Sequence, residues 1–184
     1  MGLGQPNTGS KPKYGTKKTF SDGLYYFYGK FNNMEYLFDI TLQNRKNLHK
    51  ILTETPREKL FAIPPGYNNN IWWNVAHVVV TQQLLVYKMS HLQMRLEDDL
   101  VDKYKKGTFP QGEVSDTEVK KIASLLISTI EWTKEDYGNG LFKEFAPYTT
   151  SVGVSLSRTE DAIAFNVLHE GLHFGTILAL KKLV

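Results

Sequence analysis

Phe165-Asn166-Val167-Leu168-His169-Glu170-Gly171-Leu172-His173-Phe174-Gly175-Thr176-Ile177 decides how this chain is read. It sets His169 and His173 four residues apart in a segment of helical periodicity. Residues at that spacing share one helical face, so both imidazoles can reach one cation. Ile163, Asn166, Glu170, His173 and Ile177 form a single stripe, with His169 beside it. Ser157 followed by Glu160 reads as a capping box, so a helix is expected from Ser157 to about Leu183. Neutral imidazole is a common ligand for Zn, Ni, Cu and Fe.

The core of that stretch also fits H-E-x-x-H, the helix of zinc proteases. The rest of the chain rejects the protease reading. Where the metzincin pattern needs Gly and His after its second His, this chain has Thr176 and Ala179. No carboxylate follows His173. A third ligand must come from upstream, where His49, His77 and His91 are available. His91 lies roughly 21 Å past His77 along a continuous helix, so the two do not share a metal. A surface or capping role suits His91, and His49 falls off the apolar stripe of its helix and reads as exposed. His77, four residues after Trp73 and seven before Leu84, faces inward. His77, His169 and His173 are therefore the metal-ligand candidates.

Glu170, the only acid inside the motif, is the catalytic candidate, as general base or as hydrogen-bond partner of a ligand. Its structural alternative is a carboxylate paired with a neighbouring helix. Asn74 and Asn166 each stand one turn from a histidine and could orient a ring. Gly171 and Gly175 read as sites of close helix approach, with access to the metal as the alternative. Trp72 and Trp73 suit core packing, or the wall of a pocket. Tyr104 with Lys105 and Lys106 reads as a solvated loop, or as a contact for an acidic substrate group.

Three further helices are expected: about Asn33–Thr53, about Asn70–Leu92, and about Ser115–Tyr137, the last opening on a Ser115/Glu118 capping box. Leu37, Ile40, Leu48 and Ile51 form the stripe of the first. Residues 138–156 are irregular, with room for short extended pieces. Four long helices without a strong strand pattern make an all-α four-helix bundle over residues 34–184, a fold that builds metal sites from side chains on facing helices.

The chain has 184 residues and no cysteine, which excludes disulfides, thiolate ligands and a cysteine nucleophile. No apolar run long enough for a bilayer and no secretory leader are read from the sequence, so a cytoplasmic, non-membrane protein is expected. Of the net charge of +3, residues 1–33 supply +4, leaving −1 on the remainder. The basic balance belongs to an N-terminal arm, and the body carries no footprint for nucleic acid. That arm turns aromatic at Leu24-Tyr25-Tyr26-Phe27-Tyr28, and Ser21-Asp22-Gly23 allows a small hairpin. It suits a packing arm, a partner-binding or swapped segment, or an extension.

Asn70-Ile71-Trp72-Trp73-Asn74-Val75-Ala76-His77, the Gly107-Thr108-Phe109-Pro110 connection and the Phe165–Ile177 stretch together resemble the DinB-like (YfiT-like) four-helix bundles over roughly residues 34–184. The resemblance implies an up-up-down-down bundle with a long crossover, often dimeric, in which His77, His169 and His173 bind one divalent ion, commonly zinc or nickel. Some members transfer low-molecular-weight thiols. Three functional expectations follow: a metal-dependent transferase joining a small thiol to an electrophile, a hydrolase using metal-bound water, and a non-catalytic metal-binding bundle. The expected partners are a small-molecule substrate and a second copy of the chain, without nucleic acid or membrane.

Overall fold

The second bundle helix, α3 (Ile71–Gln83), shows how local chemistry starts an element here: Asn70 takes extended backbone, and its side chain accepts the Trp73 amide at 2.8 Å. In this computed structural model, which describes residues 20–184 and side chains from Asn33 onward, α3 is one of four long helices. The others are α1 (Phe20–Glu54), α5 (Asp116–Gly138) and α6 (Thr159–Leu180). Two short helices, α2 (Arg57–Phe61) and α4 (Asp98–Tyr104), sit in the connections. α1 and α3 each pack on both α5 and α6 and touch one another only slightly, so they lie on a diagonal of the bundle.

The expected all-α bundle is present, with informative departures. α1 opens at Phe20, so Ser21-Asp22-Gly23 belongs to its first turn and not to a hairpin. The buried face of α1 is Phe38, Thr41, Arg45, Leu48 and Leu52, and Ile40, expected on the stripe, is exposed. After Gln83 the helix widens into a π-helical turn, Leu84–Lys88. His91 follows it, exposed as the surface reading expected and in the left-handed region at φ 57°, its amide donating to the Lys88 carbonyl, while Met89 is the cap of the turn. α6 is capped differently from the expectation: Arg158 is its N-cap, Asp161 accepts the Ser157 amide, and Glu160 is used by the Tyr137 hydroxyl. The irregular stretch holds two extended pieces, β1 (Tyr148–Thr149) and β2 (Ser155–Leu156), paired antiparallel. The N-terminal arm up to residue 19 lies outside the described residues.

Two apolar clusters fill the interior. One gathers Leu48, Trp72, Val78, Leu126 and Ile177, the other Phe38, Leu85, Ile130 and Ile163. Along every long helix, buried polar residues fall between the members of the two clusters: Thr41 and Arg45 on α1, Gln82 and Gln83 on α3, Thr129 on α5 (with Thr133 one turn further on), Asn166 and Glu170 on α6. This polar layer is tied across helices. Gln82 donates to Thr133 at 2.8 Å, and Gln83 donates to Gln82 and accepts the Arg95 amide. A one-turn slip of any helix would bury these groups without partners at about 1–3 kcal/mol each, so the layer sets the register. α6 is the one described helix long and apolar enough to cross a membrane by length and composition, a run the sequence reading did not register. Within the bundle it packs on α1 and α3, and its one mid-helix charge, Glu170, is ion-paired.

Candidate metal centre

His77 projects from the middle of α3, and His169 and His173 from successive turns of α6. Each offers one ring nitrogen, and the three nitrogens lie within 4.8 Å of one another. Ring centroids are 4.5 Å apart for His169 and His173, 4.7 Å for His77 and His173, and 5.2 Å for His77 and His169. His77 is buried; the other two are half-buried. The histidines predicted to act together are thus together. His91 is exposed and apart, while His49 is half-buried, not exposed as expected.

The outer nitrogens show which tautomers the chain imposes. His77 Nδ1–H donates to the Tyr104 carbonyl at 2.6 Å, and a carbonyl only accepts, so Nε2 keeps its lone pair. The Thr81 hydroxyl, 3.2 Å away, is the donor that this lone pair meets. His173 Nδ1 lies 2.8 Å from Asn74 Oδ1. The Asn74 amide nitrogen is committed to Asn69 Oδ1 and the Asn70 carbonyl, which turns its oxygen toward the ring and makes His173 Nδ1 the donor. Asn74 therefore has the ring-orienting role considered for it. His169 Nδ1 is sealed from solvent without a protein partner. Trp73 stacks on His77, centroids 4.5 Å apart and planes 12° from parallel, and donates its Nε1–H to Thr108.

Burial keeps these rings neutral. It lowers His77 below the ordinary histidine value against the pull of the Tyr104 bond. It pushes His173 down to about 4, with His77 adding to the effect. His169 falls to about 3 through burial first, then the neighbouring charges of His173, His77 and Arg45. Neutral imidazole is the form that binds metal. A cluster of three neutral nitrogen donors, two of them held by outer hydrogen bonds, fits a borderline divalent cation with coordination positions left over.

Glu170 sits beside this cluster in sequence and is 1% exposed. Oε1 accepts from Arg45 Nη2 at 2.8 Å and Asn166 Nδ2 at 2.7 Å; Oε2 accepts from Arg45 Nε at 2.9 Å and Asn44 Nδ2 at 3.2 Å. Arg45, fully buried, also donates to the Val78 carbonyl. Asn166 thus bonds the carboxylate, not a ring. Arg45, Thr81 and the Tyr104 carbonyl are site residues that sequence reasoning missed. A charged residue on the buried stripe of α1 was the available signal for Arg45; a backbone carbonyl leaves none.

Two other expectations are corrected. Gly171 and Gly175 are exposed, and a methyl group at either would meet nothing within 4 Å, so neither permits close helix approach. Tyr104 is buried, not part of a solvated loop, although Lys105 and Lys106 are exposed.

The arrangement defines a class: helical bundles whose clustered histidines, from facing helices, can hold a metal ion. The DinB superfamily sequence profile matches residues 40–177, and the chain belongs to the DinB superfamily. No curated protein matches the chain.

Proposed function

We propose that this protein is a divalent-metal enzyme that transfers a low-molecular-weight thiol to a small electrophile. The observation that carries the proposal is the donor set: three neutral histidine nitrogens, with no cysteine or carboxylate in the cluster among the described residues. Structural zinc sites use four protein ligands, whereas three leave room for an exchangeable one. A bound zinc or nickel ion supplies Lewis acidity that lowers the pKa of a coordinated thiol or water.

The chain's own part is to hold and orient. The Tyr104 carbonyl and Asn74 Oδ1 aim the lone pairs of His77 and His173, and Trp73 covers one face of His77. Three uncharged ligands leave the cation's charge uncompensated, which favours an anionic thiolate. With no cysteine in the chain, the thiol arrives as a cosubstrate, and the cytoplasm supplies such thiols in reduced form. Hydrolysis is the second reading. It requires a base, and all four acceptor directions of Glu170 are taken by donors, which favours transfer over hydrolysis and a positioning role for Glu170. We assign the expected second copy to the exposed apolar side of α6, Leu168, Leu172 and Leu178.

Elemental mass spectrometry of untagged protein tests the site. Near-stoichiometric zinc or nickel is expected in the wild type and in His49→Ala, and loss in His77→Ala, His169→Ala and His173→Ala. Equal metal in all variants would refute the triad. With metal established, consumption of an electrophile only in the presence of a thiol selects the transferase, and turnover with water alone selects the hydrolase.

A further inference from the structure

Tyr104 is the last residue of α4, and its two ends face different parts of the molecule. Its carbonyl accepts the His77 Nδ1–H at 2.6 Å. Its hydroxyl accepts from Trp72 Nε1 at 2.9 Å and donates to Glu118 Oε1 at 2.5 Å. Its ring stands edge-on to Trp72, at 82°. Burial and Glu118 raise the hydroxyl well above the usual tyrosine value, so it stays a donor. Glu118 is itself fixed: it sits in the first turn of α5, its amide bonds to the Ser115 hydroxyl, and its other oxygen takes Lys103 at 2.9 Å. The same tyrosine walls an open cleft of about 830 Å³, away from the histidines, with Arg57, Phe61, Trp72, Phe109 and Glu118 around it.

A carbonyl at the end of a two-turn helix is a soft acceptor on its own, because helix termini fray. Here the ring and hydroxyl pin it from the far side, to α3 through Trp72 and to α5 through Glu118. Gly107, at φ 91°, lets the chain turn back so that Thr108 bonds the Lys103 and Lys105 carbonyls while accepting from Trp73, a second clasp on the same turn.

We propose that Tyr104 is the positioning residue for His77, and that the Trp72–Tyr104–Glu118 chain passes the packing of the outer cleft to the metal-binding ring. The effect on metal affinity rests on the metal reading above; the effect on the imidazole does not. The test uses Tyr104→Phe, which keeps the ring and the carbonyl and removes the hydroxyl. In metal-free, nitrogen-15-labelled protein, the Nδ1–H signals of His77 and His173 are followed by NMR, with Asn74→Ala identifying that of His173. In Tyr104→Phe the His77 signal is expected to shift and to exchange faster with solvent, while the His173 signal stays in place. Zinc affinity, read by competition with a chelator, is expected to fall roughly tenfold. A general loosening of the fold would move both signals together. An unchanged His77 signal in folded Tyr104→Phe would overturn the proposal. If that variant fails to fold, Glu118→Ala, which keeps the hydroxyl and removes its acceptor, is read in the same way. Failure of the wild type to bind zinc would refute the metal reading, and the imidazole signals would still decide the role of Tyr104.

Discussion

Replacing Glu170 by glutamine separates an anchor from a catalytic base. In the native protein four donors converge on the two carboxylate oxygens, and two of them belong to a fully buried guanidinium. Glutamine has the same shape but keeps one accepting oxygen. Its amide nitrogen would face donors, whichever way it is turned, and the charge of Arg45 would lose its partner in the core. Removing one member of a buried pair costs about 3–5 kcal/mol. In a chain of this size each kcal/mol moves the midpoint by about 2–4 °C, so the metal-free variant should melt about 6–20 °C below the wild type. The double variant Arg45→Met/Glu170→Leu should recover only part of that loss: it removes the unpaired charge, but leaves the Asn166 amide and the Val78 carbonyl without their partners. The assay is thermal denaturation followed by circular dichroism. A Glu170→Gln protein that melts within about 2 °C of the wild type, yet binds metal and has lost turnover, would refute the anchoring argument and restore the base.

Asn74→Ala frees the outer nitrogen of His173 and is expected to weaken zinc binding by about 10–100-fold, measured by chelator competition, while removal of its buried hydrogen bonds lowers the stability of the metal-free protein by about 1–3 kcal/mol. Acidification should destabilise the metal-free protein: burial lowers His169 to about 3 and His173 to about 4, against 6.5 for the ordinary ring. Below pH 6.5 the unfolded chain takes up protons that the folded one refuses, so this contribution is level above that pH and falls as pH drops, toward about 4 for His173 and about 3 for His169. The difference in melting temperature between wild type and His169→Ala, followed across that window, isolates it, and a difference independent of pH would contradict the assigned shifts. Gly171→Ala should raise stability by about 1 kcal/mol, since the position is exposed, helical and unobstructed, and a lower denaturation midpoint would contradict the open surface found there.

The bundle and the triad were readable because both rest on periodicity. Apolar stripes recur at helical spacing in all four long helices, and His169 and His173 share a face by arithmetic alone. His77 was found because it lies on the inward side of a helix whose phase its neighbours fix. What was not readable is whatever depends on one element meeting another. Arg45 and Glu170 are 125 positions apart, and nothing local to either says that they pair. The Tyr104 carbonyl has no side-chain signature. The glycines of α6 were misread because a small residue on a helix suits close packing and open surface equally; only the positions of neighbouring helices decide. The Ser157/Glu160 pattern failed as a cap because Tyr137, from α5, engages the glutamate and Asp161 serves the Ser157 amide.

The stacking of Trp73 on His77 gives the molecule an optical reporter of its own. An indole lying against an imidazole changes its emission when that imidazole gains a proton or a paramagnetic ion such as nickel or copper. Of the three tryptophans, Trp132 lies near Arg95 and can be replaced by phenylalanine, whereas Trp72 bonds the Tyr104 hydroxyl and is kept, so that the change on loading the triad is read as the difference contributed by Trp73. Occupancy of the triad could then be followed by light, without label, chromogenic substrate or knowledge of the reaction.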